Sequence, residues 1–89
     1  MNKILIVITQ GCEACSIAIN NIKAAVEQSS KDIEIEVKDW HDFPRKFITS
    51  NKIKDYPTVI FCKHPSVINF RCSGSYPAAV YLRWIDLHL

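Results

Sequence analysis

The sequence predicts an α/β fold in which a four-stranded mixed sheet is flanked by three helices in the order β-α-β-α-β-β-α. Three observations predict it. The apolar run Ile4-Leu5-Ile6-Val7-Ile8-Thr9 leads through Gln10-Gly11 into Cys12-Glu13-Ala14-Cys15 and then into a stretch of helical period. Ile33, Ile35 and Val37 alternate with Glu34, Glu36 and Lys38. Two short apolar runs, 58–62 and 67–72, flank a turn-like Lys63-His64-Pro65-Ser66, and an apolar helical segment follows them.

Each element has its own warrant. The first run is β-branched and uninterrupted, which suits a strand covered on both faces. From Cys15 to about Gln28 the period changes to that of a helix. Ile19, Ile22 and Val26, with Ala18 and Ala25 beside them, form an apolar stripe, and Asn20, Asn21, Lys23 and Glu27 face outward. Ser29-Ser30-Lys31-Asp32 ends it. The alternation over 33–38 marks a strand with one solvated face, near a sheet edge where outward charges discourage intermolecular pairing. Trp40 to Phe43 read as a loop, with Asp42 as an N-cap and Pro44 in the first turn of a short helix. Phe43, Phe47 and Ile48 stripe that helix, which ends near Ser50-Asn51. The runs 58–62 and 67–72 make an antiparallel hairpin, in which Cys62 faces Asn69 and Cys72 faces Val59. Ser73 or Ser75 caps a last helix with Pro77 in its first turn, docked through Val80, Leu82, Trp84, Ile85 and Leu87. Two right-handed crossovers place the first strand inside the sheet, next to the hairpin.

The chain has 89 residues and 48% hydrophobic content, enough for one small core, so 1–89 reads as a single domain. Eleven basic residues are scattered among nine acidic ones, net +2, without a basic run, which argues against a nucleic-acid partner. No stretch approaches the roughly 18 apolar residues of a membrane span. Lys3 and the apolar run before Gly11-Cys12 resemble an export signal only faintly, because the run is shorter than a signal core and Gln10 suits a cleavage site poorly. The chain therefore reads as complete, monomeric and cytoplasmic, where paired cysteines are catalytic or metal-binding rather than structural.

Cys12 and Cys15 carry the chemistry. Two thiols three positions apart at a strand-to-helix junction can close into a small disulfide ring. The first lies over the unpaired N–H groups of the helix start, which favour its thiolate. Glu13 works against the thiolate and no Lys or Arg flanks the motif, so the expected pKa depression is modest and the couple reducing.

With these elements in place, the chain resembles the thioredoxin superfamily at the short glutaredoxin-like size. Cys12-Glu13-Ala14-Cys15 stands between the first strand and helix. Ile53-Lys54-Asp55-Tyr56-Pro57-Thr58 is similar to the Pro-Thr run that enters a strand in thioredoxins, and Pro57 lies 42 residues after Cys15, room for a helix, a strand and a helix. Cys72-Ser73-Gly74 stands before the last helix, where the family has a glycine.

The resemblance implies a small thiol–disulfide oxidoreductase, an electron carrier with Cys12 as nucleophile and Cys15 as resolving thiol. It implies a cis bond before Pro57 that brings the Tyr56 backbone beside the sulfurs, and substrate contacts at Gly11, Tyr56, Pro57 and Gly74. The partners it implies are a disulfide-containing protein and a reductase or glutathione. No metal or other cofactor is expected, and the glutathione motif of glutaredoxins is not matched. The chain also departs from the family. The Trp-Cys-Gly-Pro-Cys of thioredoxins is absent, Ile6 stands where they carry a buried acid, and Ser73-Gly74 replaces the Gly-Gly of glutaredoxins.

Two other classes fit part of the pattern. A Cu(I) chaperone also places CxxC after its first strand, and two thiolates hold Cu(I) well; that fold, however, ends in a strand. A redox-inert docking module would keep the fold without using the thiols. Cys62 and Cys72 read as packing residues, with a regulatory disulfide or a four-thiolate zinc site as alternatives. His41 reads as a solvated loop histidine at the Cys12 end of the sheet, with substrate contact or proton transfer as the alternative.

Overall fold

A computed structural model describes residues 2–64 and 67–89. Strand β1 (Asn2–Ile8) leads into helix α1 (Glu13–Gln28), followed by strand β2 (Ile33–Asp39), helix α2 (Arg45–Ser50), strands β3 (Thr58–Cys62) and β4 (Phe70–Ser73), and helix α3 (Ala78–His88). The sheet order is β2-β1-β3-β4. β1 runs parallel to β2 and antiparallel to β3, and β3 runs antiparallel to β4. The first strand thus lies inside the sheet beside the hairpin, and the charged strand lies at one edge, as the sequence predicts.

Period-two alternation explains why the inner strands read as continuous apolar runs. Ile4 and Ile6 of β1, with Val59 and Phe61 of β3, face α1 and α3. Val7 of β1, with Ile60 and Cys62 of β3, faces the other side, where Ile53, Phe43, Phe47 and Ile48 cover them. Both faces of these strands are buried, so both residue sets are apolar. Removing one large side chain here, such as the fully buried Phe61, would cost about 3–5 kcal/mol.

Helix α1 rests on the sheet along a narrower line than the isoleucine stripe suggests. Cys15, Ala18, Ile22 and Ala25 are buried, and Ile19 and Val26 flank them half-covered. The two alanines at the centre keep the helix axis close to the strands. Ser29 ends the helix. Its N–H donates to the Ala25 and Val26 carbonyls, and its Oγ accepts the Lys31 N–H at 3.1 Å, a local turn that competes with further helix.

Three helix and strand ends differ from the sequence expectation. Residues 40–42 form a 3-10 turn capped by Asp39, whose Oδ1 accepts the His41 N–H at 3.0 Å; Asp42 caps nothing. Pro44 and Pro77 precede α2 and α3 rather than lying in their first turns, and neither Ser73 nor Ser75 acts as a cap. A proline disfavours helical backbone in the residue before it, which keeps Phe43 and Tyr76 out of the helices, and each proline is itself extended (ψ 139° and 155°) and serves as the N-cap. The prolyl carbonyls then accept the first helical N–H groups, Pro44 from Phe47 at 2.9 Å and Pro77 from Val80 at 3.0 Å.

β4 begins at Phe70, three residues later than the apolar run. The Asn69 side chain accepts the Lys63 N–H at 2.8 Å, which replaces a ladder bond with a side-chain one. Val67 forms an isolated bridge with His64, and the expected turn centre at Pro65-Ser66 lies outside the described residues. Cys72 faces Val59 as the hairpin register requires. In α3, Tyr81 and Ile85 are buried, Trp84 packs edge-on to Phe61, and Leu87, expected to dock, is 67% exposed. Leu87 falls on the outer side of the line that Tyr81 and Ile85 define. Among the described residues, no helix is long and apolar enough to cross a membrane.

Candidate functional site

β1 ends at Ile8, and Thr9 to Gly11 turn the chain onto the start of α1. Gly11 carries this turn with φ +70°, a left-handed backbone that side-chain-bearing residues rarely adopt. Cys12 is then the N-cap. Its backbone is extended (φ −98°, ψ 100°) and its Sγ accepts the Cys15 N–H at 3.1 Å. A sulfur occupies the place where serine or aspartate oxygens usually satisfy a free N–H of the first turn. Electron density on Cys12 is therefore favoured by one direct hydrogen bond and by the positive end of α1.

The two cysteines form a disulfide with Cα atoms 5.2 Å apart, within the ordinary span of such bonds. Their exposures differ because their helical positions differ. Cys15 shares the sheet-facing line of Ala18, Ile22 and Ala25 and is 3% exposed, whereas the cap position leaves Cys12 half-buried at the mouth. In the dithiol form, an incoming disulfide would meet Cys12 first.

The Tyr56–Pro57 bond is cis, as the resemblance implies, and the Tyr56 carbonyl oxygen lies 3.9 Å from Cys12 Sγ. Pro57 is held in turn by Gly74. The Gly74 N–H donates to the Pro57 carbonyl at 2.9 Å, and Gly74 has φ +89°. Four residues expected to meet substrate, Gly11, Tyr56, Pro57 and Gly74, are thereby linked to the same end of the sheet as the two sulfurs. A groove of about 450 Å³ opens on the α1 side of Cys12, lined by Ile8, Thr9, Gly11, Glu13, Ser16 and Ile19 together with both cysteines.

Sequence reasoning missed what holds the Gly74 loop. Tyr81 is fully buried in α3, and its hydroxyl accepts the Tyr76 N–H at 3.2 Å and donates to the Gly74 carbonyl at 3.4 Å. Burial pushes its phenol up to about 12, so the hydroxyl keeps its proton and remains a donor. Asn21 of α1 reaches the same loop, donating to the Tyr76 carbonyl at 2.9 Å. In sequence Tyr81 is one more apolar position of a helix, and no local pattern reveals its hydroxyl partners. Trp40 was equally silent. Its indole N–H donates to Thr9 Oγ1 at 3.1 Å, which ties the β2–α2 connection to the groove wall.

The other candidates are not among the groove-lining residues. His41 is 62% exposed in its side chain and its Nδ1 pairs with Asp39 Oδ1 at 2.8 Å. The His41 backbone and ring N–H groups hold the Asp39 carboxyl below its ordinary range. Cys72 packs on the α1/α3 side of the sheet and Cys62 on the α2 side. On opposite faces of the sheet, the two cannot share a disulfide or join one metal-ligand set, and each packs among apolar side chains. Burial raises both thiols, that of Cys72 to about 11.

No known protein-family profile matches the chain, and no curated protein matches it in sequence. Solved structures do match. A malarial protein superposes with a TM-score of 0.79 at 18% identity, over 100% of this chain and 98% of that one. Thioredoxin-2 of the malaria parasite, described as a component of its protein secretion machinery, gives 0.81 at 17% identity over 99% and 84%. Chloroplastic thioredoxin z gives 0.75 at 18% identity over 98% and 77%. Likeness at this level of identity is likeness of fold, and with the element order and sheet topology it leads to one conclusion: the chain has a thioredoxin-like fold.

Proposed function

We propose that the protein is a small thiol–disulfide oxidoreductase that carries electrons to disulfide-containing proteins through Cys12 and Cys15. The observation that carries this reading is the position of Cys12 Sγ, capped by the Cys15 N–H on one side and facing the Tyr56 carbonyl on the other. The first contact favours the thiolate that attacks. The second places free backbone beside the reacting sulfur, where an extended substrate segment can pair as a strand pairs at a sheet edge.

The exchange runs in two steps. The Cys12 thiolate attacks one sulfur of the substrate disulfide, forming a mixed disulfide and releasing the other sulfur as a thiolate, which takes a proton from water. Cys15 gives up its proton to solvent and attacks Cys12 Sγ, closing the Cys12–Cys15 bond and releasing the second substrate sulfur as a thiolate, which is protonated in turn. The substrate gains two electrons and two protons, and the protein gains its disulfide. A dithiol or glutathione-class reductant reverses the change. Ile6, which stands where thioredoxins carry an acid, is buried and offers neither acid nor base, so on this reading the protons exchange with solvent at the groove.

The test is reduction of insulin under dithiothreitol by the wild type and by Cys12→Ser. Turnover above the dithiothreitol background that disappears in Cys12→Ser supports the reading. No turnover, with one Cu(I) bound per chain through both thiols, would replace it with metal carriage.

A further inference from the structure

The groove beside Cys12 has a charge asymmetry that the exchange reaction does not require. Among the described residues of its lining, Glu13 alone carries a fixed charge, and no Lys, Arg or His contributes. Glu13 is exposed in the first turn of α1 and has no ion-pair partner among the described residues. Ser16 adds a hydroxyl to the wall, and Thr9 adds another whose oxygen already accepts the Trp40 indole. The apolar share comes from Ile8 and Ile19. At about 450 Å³ the groove falls within the size of ligand sites, roughly 300–1,000 Å³. It has room for one long side chain.

Resting on the oxidoreductase reading, we propose that this groove selects disulfides flanked by lysine or arginine, and that Glu13 is the residue that sets the preference. A lysine or arginine side chain is long enough to lay its methylene stem along Ile8 and Ile19 while its charged head meets the Glu13 carboxylate. An acidic neighbour in the same place would face Glu13 and the Cys12 thiolate together. Like charges repel, and the substrate sulfur must approach Cys12 against that repulsion. Glu13 disfavours the thiolate of its own chain, a cost that a cationic substrate offsets on arrival because it neutralises the carboxylate. Selection is therefore strongest at the moment of attack.

The experiment uses the full chain and two disulfide-bonded peptides that differ only in the residues beside the target cysteine, lysine in one and glutamate in the other. The rate ratio between the peptides is read for wild type, Glu13→Gln and Glu13→Lys at low and high salt. Any change in the intrinsic reactivity of Cys12 affects both peptides alike and cancels in that ratio. The preference for the lysine peptide should fall by about two- to fivefold in Glu13→Gln, the size an exposed ion pair supplies, and should fall further in Glu13→Lys. Salt should shrink the wild-type preference more than the Glu13→Gln preference, in which only the Cys12 thiolate still discriminates by charge. A ratio that stays the same in all three proteins overturns the proposal while leaving the oxidoreductase reading intact. Failure of wild type to reduce either peptide or insulin overturns both.

Discussion

The carbonyl oxygen of Tyr56 stands 3.9 Å from the Sγ of Cys12, although 44 residues separate the two in the chain. Three independent pieces of structure meet to make that approach. The N-cap of α1 presents the sulfur, the chain entering β3 presents the carbonyl, and the β4–α3 loop holds Pro57 from behind through the Gly74 N–H. The last of these depends on a hydroxyl in the core, which leads to the first prediction.

Tyr81→Phe keeps the ring that packs against Tyr76 and Trp84 but removes both bonds to the Gly74 loop. Each such bond contributes about 0.5–1.5 kcal/mol. Insulin reduction, which needs the substrate backbone seated at Tyr56, should slow by about fivefold or more, since the two bonds together are worth about 1–3 kcal/mol and 1.4 kcal/mol is a factor of ten. Reduction of 2-hydroxyethyl disulfide, which has no backbone to seat, should change less than twofold. Equal losses on both substrates would show that Tyr81 only stabilises the fold.

Gly74→Ala tests the same loop through its backbone. No atom would clash with the added Cβ, because nothing lies within 4 Å of its position. The cost comes from φ +89° alone, about 1–2 kcal/mol for a residue with a side chain. Urea unfolding should show the midpoint lowered with an unchanged slope. An unaltered midpoint would contradict the left-handed conformation.

Burial holds Cys72 near 11, above the ordinary thiol value of 9.0, and raises Cys62 in the same direction. At pH 8 the Cys72 thiolate fraction is on the order of one in a thousand, so iodoacetamide should leave both thiols of the folded, oxidised protein nearly unlabelled while labelling them in urea. Stability carries the matching sign. The folded chain keeps the Cys72 proton to higher pH than the unfolded chain, so this thiol's contribution to stability is complete below about pH 9 and is lost as pH rises through about 11. Mass spectrometry of labelled protein and urea midpoints at pH 8 and 10.5 check both statements. Rapid native labelling at pH 8 would contradict the burial of these thiols.

Much of this arrangement is legible in the residue pattern, for a physical reason in each case. The run Ile4–Ile8 reads as an inner strand because both faces of β1 are covered. The alternation in β2 marks a sheet edge, where β2 lies. Ile33 and Ile35 pack on the core, but Val37 of the same apolar set is 40% exposed while Glu36 is half-buried, so the strand's end leaves the expected one-sided pattern. The thiol pair and Tyr56-Pro57 are legible because few other residues can serve those positions. What escaped are contacts made by ordinary residues across long distances in sequence. Tyr81 reaching Gly74 and Trp40 reaching Thr9 depend on the tertiary packing of helical and loop aromatics, which leaves no periodic signature. The starts of α2 and α3 differ from the pattern because proline's restriction on Phe43 and Tyr76 outweighs the capping preference of nearby Asp42 and Ser75.

Trapping the exchange intermediate is the most direct test of the central claim. Reduced Cys15→Ser, mixed with a disulfide-bonded peptide, should accumulate a mixed disulfide that dithiothreitol releases, and peptide mapping should place the bond on Cys12. An adduct on Cys62 or Cys72, or no adduct while the Cys12 thiol remains free, would contradict the assignment of Cys12 as the attacking sulfur.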